Sequence, residues 1–141
     1  MKFYIPNIIA NSPTKLPFLE KVILYYIIDE AFKSQLDKNQ SSDLEIDINQ
    51  LVNNLHNLDL DFEDIKSQTK SAINNLTKIK LSLVDKGFHI KLAPIESVYI
   101  LSNILYITLN PIIIDYLDQI FSGEYMPYDL LKDPILHSSR E

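Results

Sequence analysis

Residues 44–78 read LEIDINQLVNNLHNLDLDFEDIKSQTKSAINNLTK, and this stretch decides the fold. Its first three residues, Leu44-Glu45-Ile46, alternate apolar and charged side chains and predict a short strand. Asp47 then stands three residues before Gln50, which is the spacing of a helix N-cap and its capping-box partner. A short helix is predicted next, with a buried side formed by Ile48, Leu51, Val52 and Leu55.

A second, longer helix follows a turn at His56-Asn57-Leu58 and ends near Lys78, with Asp59 or Asp61 as its cap. Its apolar residues recur at intervals of three and four, which predicts a buried stripe of Phe62, Ile65, Thr69, Ala72, Ile73 and Leu76. A short helix, a tight turn and a second helix form a helix-turn-helix. Because a β-hairpin is predicted after it, we expect an α+β fold of the winged-helix type.

The other elements are expected to complete one domain over residues 1–141, which is an ordinary length for a single core. Strand-like segments flank a turn at Asp85-Lys86-Gly87, and a second hairpin is predicted to turn at Ser102-Asn103. The predicted divisions are an irregular lead-in (1–17), a long helix (18–38), the helix-turn-helix (44–78), strands and wing (79–109), a further helix (111–122) and a tail (123–141) that leads to any second domain.

Composition excludes several classes of protein. Hydrophobic residues make up 46% and charged residues 23%, which is typical of a globular chain. The formal charge of −6 excludes a uniformly basic nucleic-acid binder but leaves room for a local basic patch. There is no cysteine, so disulfides and thiolate chemistry are excluded, and a reducing cytoplasmic location fits. The two glycines, Gly87 and Gly123, are too far apart for a phosphate-binding loop.

The sequence predicts no enzyme, no catalytic residue, no metal and no cofactor. The three histidines, His56, His89 and His137, have no second ligand at metal-binding spacing. The acidic run over residues 59–64 lacks the glycine and the glutamate that a calcium loop needs at its sixth and twelfth positions. No serine lies in a nucleophile-elbow pattern.

No membrane span or signal peptide is expected either. Residues 97–114 carry no charge, but Ser102-Asn103 and Asn110-Pro111 interrupt them with turn and break signals. We therefore predict two strands followed by a helix that opens at Pro111.

Charge is distributed unevenly along the chain. Residues 43–64 hold seven acids and no lysine or arginine, whereas residues 65–92 hold six lysines and only Asp85 as an acid. Lysine suits phosphate contacts, while serine and asparagine reach phosphates or base edges. The predicted DNA-binding residues are Lys66, Ser67, Lys70, Ser71, Asn74, Lys78, Lys80, Lys86 and Lys91. A solvated helix face is the alternative interpretation of the same pattern.

The second hairpin is apolar on both of its faces, so one core cannot cover it. A partner strand or subunit would cover the other face, and so would the C-terminal tail of the same chain. On the first interpretation, the predicted dimerisation residues are Tyr99, Leu101, Ile104, Leu105, Tyr106 and Ile107.

Four segments carry a resemblance to a known family. They are Asn7-Ile8-Ile9-Ala10 before the long helix, IDINQL at 46–51, AINNL at 72–76, and ITLNP at 107–111 running on to Asp115-Tyr116-Leu117. Together they resemble the first winged helix of plasmid replication initiator proteins that have two tandem winged helices. The last of the four segments is the most specific.

This resemblance implies a role in DNA replication initiation. Proteins of this kind bind double-stranded origin repeats as monomers and bind an inverted-repeat operator as homodimers, and host replication proteins are further expected partners. The resemblance implies that the first winged helix serves dimerisation and contacts the DNA backbone. The sequence stops at Glu141, about where the second winged helix of such proteins begins, so it is expected to be either a part of a longer protein or a shortened relative. The rival hypothesis is a winged-helix protein-interaction module without direct DNA binding, which the acidic composition favours.

Overall fold

The structure is a computed structural model that describes residues 2–36, 43–56 and 65–129. It has the mixed α+β character predicted from the sequence, and the strand pairings in the described residues are antiparallel. Along the chain the described elements are β1 (Lys2–Pro6), α1 (Asn7–Ala10), α2 (Phe18–Leu36), β2 (Asp43–Asp47), α3 (Ile48–His56), α4 (Ile65–Leu76), β3 (Leu81–Asp85), β4 (Phe88–Leu92), β5 (Ile95–Leu101), β6 (Ile104–Leu109), α5 (Pro111–Tyr116), α6 (Asp118–Phe121) and β7 (Tyr125–Asp129).

Helix α2 lies at the centre of the hydrophobic core. A helix with apolar residues on most of its sides must be covered on most of its sides. Both α4 and β1 pack against it. The predicted end of this helix, residues 37 and 38, lies outside the described residues. Its completely buried side chains are Val22, Ile23, Leu24, Ile27 and Ile28.

Two side-chain hydrogen bonds attach α3 and α4 to α2. The Asn54 amide of α3 donates to the Tyr26 hydroxyl at 3.3 Å, and the Asn75 amide of α4 donates to a Glu20 carboxylate oxygen at 3.2 Å. Tyr26 and Glu20 are both buried, so the bonds satisfy polar groups that would otherwise destabilise the core. They also fix where each helix sits along α2.

The two helices of the predicted helix-turn-helix are present as α3 and α4. Asp47 caps α3, because its Oδ1 accepts backbone N–H groups at 2.8 and 3.3 Å. Helix α4 ends at Leu76, two residues before the predicted end. The alternative caps Asp59 and Asp61, and the predicted core residue Phe62, lie outside the described residues. The other predicted core residues are buried: Ile48, Leu51, Val52, Leu55, Ile65, Thr69, Ala72, Ile73 and Leu76.

A three-stranded antiparallel sheet with strand order β2-β6-β5 covers one side of this core. The strand that precedes the two helices therefore lies beside the last strand of the second hairpin. Strand β2 alternates buried and exposed residues, as predicted for residues 44–46. The buried residues on the inner face of the two paired strands are Leu44, Ile46, Leu105, Ile107 and Leu109.

Both predicted hairpins are confirmed, with their turns at the predicted residues. Lys86 and Gly87 connect β3 to β4 with φ angles of 50° and 84°. Ser102 and Asn103 connect β5 to β6 with φ angles of 52° and 64°. A two-residue turn with positive φ at both positions matches the right-handed twist of the strands that it joins.

The predicted irregular lead-in is wrong for residues 2–10, which form β1 and α1. The predicted tail is likewise wrong for residues 125–129, because they form β7 and pair with β1. Pairing over such a long sequence separation leaves no local signal. The Tyr128 ring closes this pair onto the core, stacking 6.4 Å from Phe3 and meeting Tyr25 edge-on at 5.0 Å.

The single helix predicted over residues 111–122 is divided into α5 and α6 around Leu117. Gly123 follows α6 with φ of 84°, the left-handed geometry predicted for that residue. None of the described helices combines the length and the apolar character needed to cross a membrane.

Asn110 joins two parts of the fold. Its side chain accepts the Ile112 N–H at 3.0 Å as the N-cap of α5, and its amide donates to the Ala93 carbonyl at 3.1 Å. We predict that Asn110→Ala lowers the free energy of unfolding by about 1–2 kcal/mol, since it removes a cap and a hydrogen bond. Denaturant unfolding followed by circular dichroism measures the loss.

Asn110→Asp separates the two contributions, because aspartate caps as well as asparagine but cannot donate to Ala93. Its stability is expected to lie between those of the wild type and the alanine variant. Asn53→Ala, at an exposed position of α3, is the matched control and is expected to cost nothing. Equal stability of Asn110→Ala and the wild type would contradict this role of Asn110.

Candidate nucleic-acid interface

The side of α4 that faces away from the core is polar and cationic. Ser67, Lys70, Ser71 and Asn74 are all exposed, and their spacing places them on one side of the helix. The helix sequence, IKSQTKSAINNL, contains no acid. Four of the nine predicted DNA-binding residues therefore share one surface of α4, and we call them the α4 face.

Lys66 lies beside this surface and is only partly exposed. Its ammonium group lies 3.4 Å from the Asn103 side-chain oxygen, in the turn between β5 and β6. The Asn103 carbonyl also accepts the Ile48 N–H at 2.9 Å, at the start of α3. The second hairpin is thus docked against the first residues of both α3 and α4, and Lys66 takes part in that docking.

Lys78 and Lys80 continue the positive charge beyond the end of α4. Because α4 ends at Leu76, Lys78 lies in the following turn, where its N–H bonds the Asn75 carbonyl at 3.0 Å. The prediction that Lys78 extends the helical face is wrong in this respect, although its side chain is exposed. Lys80 is exposed just before β3.

The remaining predicted lysines, Lys86 and Lys91, lie on the β3–β4 hairpin and are both exposed. Lys86 is at the turn, and Lys91 pairs with Ser82 across the two strands. Ser82 is anchored to the lead-in on both sides, because its carbonyl accepts the Ser12 hydroxyl at 2.7 Å and its N–H donates to the Thr14 hydroxyl at 2.8 Å. This hairpin is therefore fixed to the body of the domain.

Asp85 is the only acid in residues 65–92, and the structure gives it a partner. The Tyr116 hydroxyl of α5 donates to its carboxylate at 3.5 Å. Burial raises the pKa of Tyr116, and the negative charge of Asp85 raises it further. The phenol therefore stays protonated at neutral pH and remains a donor to Asp85.

Sequence reasoning missed two exposed apolar residues on the β3–β4 hairpin. Val84 is 52% exposed and Phe88 is 74% exposed, the largest value among the large hydrophobic residues of the described chain. Phe88 continues the alternating series of Ile90 and Leu92, which favours the core-facing side of the strand. Only its position directly after the turn, where a strand can extend past the core, could have indicated that Phe88 is exposed.

The outer face of the second hairpin is apolar near its turn. The rings of Tyr99 and Tyr106 stack across the two strands at 4.9 Å between centroids. Leu101 is 61% exposed and lies opposite the partly buried Ile104. In the described sheet β5 is an edge strand, so the structure brings these four predicted dimerisation residues together on an open surface.

The other two predicted dimerisation residues lie in the core instead. Leu105 is completely buried and Ile107 is 1% exposed. Because side chains alternate across a strand, they occupy the opposite face from Tyr106. Their predicted role in an interface is wrong, and we keep the name outer hairpin face for Tyr99, Leu101, Ile104 and Tyr106 alone.

A groove of about 240 Å³ joins the α4 face to β5. Lys70 and Asn74 line one side of it, and Val98, Tyr99 and Ile100 line the other. The candidate DNA surface and the candidate assembly surface are therefore neighbours that share this boundary.

No metal site accompanies these surfaces in residues 2–36, 43–56 and 65–129, where no three histidine, aspartate or glutamate residues are grouped to hold an ion. His89 is exposed on β4. The side chain of His56 and the whole of His137 lie outside the described residues.

Comparison with known proteins gives one distant relative to report. No protein-family model matches the chain. It is 27% identical over 141 residues to an uncharacterized protein, R161, from Acanthamoeba polyphaga mimivirus. The match covers 94% of this chain and 33% of that protein, so the chain spans about a third of the length of its relative.

Leu105 and Tyr106 point to opposite faces of β6, so substitutions at the two positions test which face is buried. Leu105→Lys places a charge in the core and is expected to destabilise the domain by about 4 kcal/mol or more. Tyr106→Lys changes a partly exposed residue and is expected to leave the domain folded. Thermal melts followed by circular dichroism compare the two, and the reverse order of stability would contradict the strand orientation.

Proposed function

We propose that the chain is a DNA-binding winged-helix domain that serves replication initiation, in the manner of the first winged helix of plasmid replication initiators. It contacts the DNA backbone and forms homodimers. The observation that carries the proposal is the α4 face. It is an exposed, acid-free side of the second helix, and its other side is fixed in the core.

The order of elements supports the winged-helix part of the proposal. A strand, two helices and a hairpin occur in that sequence, and the first strand pairs with the last in the order β2-β6-β5. The hairpin that joins this sheet, and acts as the wing, is β5–β6. The β3–β4 hairpin forms a separate two-stranded sheet inserted between α4 and the wing.

The distribution of charge along the chain supports a weak contact with the DNA backbone. The whole chain carries −6, but the segment from α4 to β4 holds six lysines and one partnered aspartate. Lysine binds phosphate as a point charge without reading sequence. We therefore expect weak duplex binding that is sensitive to salt and insensitive to sequence.

A second candidate function is a protein-interaction module that dimerises without touching DNA. The outer hairpin face favours it, because Tyr99 and Leu101 are exposed by 60% and 61% on an edge strand. Exposed apolar edge strands readily pair with another chain. The two functions differ only in whether the α4 face has a ligand.

The α4 face and the adjoining Lys78 are tested together by replacing lysine with glutamate. Lys70→Glu combined with Lys78→Glu is expected to abolish binding to a random-sequence duplex at low salt, because both lysines would otherwise release counterions from phosphates. The triple variant with Lys66→Glu is expected to behave alike. A mobility-shift titration at several salt concentrations measures affinity and salt dependence together.

The matched control is Lys2→Glu with Lys15→Glu, two exposed lysines that lie before α2 and make the same change in net charge. It is expected to weaken binding only slightly, through the long-range field. If the control and the α4 variant lose affinity equally, the α4 face is not the contact surface. If the wild type binds no duplex at all, the second candidate function stands instead.

Assembly is tested on the outer hairpin face. The wild type is expected to form a symmetric dimer at high micromolar concentration. Tyr99→Lys with Leu101→Lys is expected to give a folded monomer, since charges on an edge strand oppose strand pairing. Light scattering gives the mass, and circular dichroism confirms the fold.

Ile112→Lys is the control for this experiment, because Ile112 is 41% exposed and belongs to α5, outside the hairpin. It is expected to remain a dimer. A monomeric wild type at high micromolar concentration would remove the dimer from both candidate functions.

A further inference from the structure

A cleft of about 350 Å³ opens between the connection from α1 to α2, which is residues 11–17, and one side of α2. No residue of the α4 face or of the outer hairpin face lines it. Its volume lies within the range of roughly 300–1,000 Å³ that is typical of small-molecule sites. The side chains around it decide which small molecule it can accept.

The apolar part of the cleft rests on the core. Ile9, Leu24 and Leu81 form its floor from α1, α2 and β3, and they are exposed by 3%, 0% and 2%. Because these side chains are packed on all other sides, the shape of the floor is fixed. The partly buried Ala10 and Leu16 form the sides of the cleft and keep apolar surface that a ligand can cover.

The wall made by residues 11–17 is held in place by hydrogen bonds to β3. The Ser12 hydroxyl donates to the Ser82 carbonyl at 2.7 Å and accepts the Thr14 N–H at 3.3 Å. The Thr14 hydroxyl accepts the Ser82 N–H at 2.8 Å. Pro13 between them has a fixed φ angle. The cleft is therefore preformed, and a ligand would lose little free energy to the ordering of this segment.

The polar groups around the cleft are cations and hydroxyls. Lys15 and Lys21 line it, and no aspartate or glutamate of the described ranges does so. The Lys21 ammonium lies 4.8 Å from the centre of the Tyr128 ring, which keeps it on this side of α2. Thr14 accepts the Ser82 N–H with a lone pair, so its own proton can be donated to a ligand. This set of groups favours an anion.

We infer that the cleft binds a small amphipathic anion, namely an aliphatic carboxylate of medium chain length. Lys15 and Thr14 would hold the carboxylate. The chain would lie against Ala10 and Leu16, where an aliphatic body needs no hydrogen-bond partner. The positive charge of Lys21 adds to the attraction.

A nucleoside monophosphate has a negative charge as well, but it fits these residues less well. The amino groups of its base need acceptors, and no carboxylate or amide side chain lines the cleft. The inference goes beyond the proposed function and does not depend on it, since the two surfaces proposed for DNA and for assembly lie outside the cleft.

Sodium octanoate is the probe for a direct test on the full chain. In methyl NMR spectra, titration with octanoate is expected to shift the signals of Ile9, Leu24 and Leu81 more than those of other residues. 1-Octanol has the same chain without the charge, so it is expected to bind about three-fold more weakly or less tightly still. Adenosine monophosphate is also expected to bind more weakly than octanoate.

Two variants test the charge and the space separately. Lys15→Met keeps the aliphatic part of the side chain, so it is expected to weaken octanoate binding about three- to five-fold and to leave 1-octanol binding unchanged. Ala10→Leu fills part of the cleft and is expected to weaken both ligands alike. Lys86→Met, at an exposed lysine of the β3–β4 turn, is the matched control and is expected to bind octanoate as the wild type does.

Four results would overturn the inference: methyl shifts that are absent or scattered outside the cleft, equal affinity for 1-octanol and octanoate, equal octanoate affinity of Lys15→Met and the wild type, or tighter binding of adenosine monophosphate, which would assign the cleft to a nucleotide. Circular dichroism checks that Ala10→Leu folds, and Lys15→Met, at an exposed position, tests the charge in either case. The variant with Lys70→Glu and Lys78→Glu separates the two proposals, because it is expected to lose duplex binding and to bind octanoate as the wild type does.

Discussion

The structure depends on the burial of α2 on nearly all of its sides. Water on the middle turns of such a helix would be costly, so the elements packed against it are placed by the need to cover it. The helix pair covers one side and β1 covers another. The exposed side of α4 is therefore a consequence of α2, because α4 turns its apolar stripe inwards and has only polar residues left for the surface.

The hairpin turn at Asn103 adds a second constraint. It contacts the beginnings of α3 and α4 together, through Ile48 and Lys66. The second hairpin and the helix pair are thus positioned relative to each other by these hydrogen bonds as well as by the sheet. The groove between Lys70 and Tyr99 follows from this arrangement. Assembly along β5 and ligand binding at α4 would therefore involve neighbouring residues.

Much of this architecture could be predicted from local pattern. The buried residues of α3 and the strand alternation of β2 follow from apolar spacing, and both hairpin turns follow from residues that tolerate positive φ. The winged-helix interpretation and its ligands stay predictions. At the site, the spacing of Ser67 and Lys70 was sufficient to place them on one exposed side of α4.

What could not be predicted depends on distant contacts. Strand β1 has no partner near it in sequence, and the sorting of Leu105 into the core and Tyr106 onto the surface depends on which face of the sheet meets the core. Both faces of the second hairpin are apolar, so the pattern predicts the strands but not which of their faces is turned to the core. Phe88 was assigned no role because alternation alone does not tell where a sheet projects beyond its core.

The pairing of β1 with β7 has a consequence for synthesis on the ribosome. Strand β1 emerges before the other described elements, but its partner β7 is translated after all of them. Until then Phe3 and Ile5, which are 2% and 0% exposed in the finished fold, have no strand to hold them over α2. While residues 7–124 are translated, the nascent chain therefore carries an unpaired apolar strand, which makes this segment a natural client for a chaperone that shields extended, hydrophobic strands.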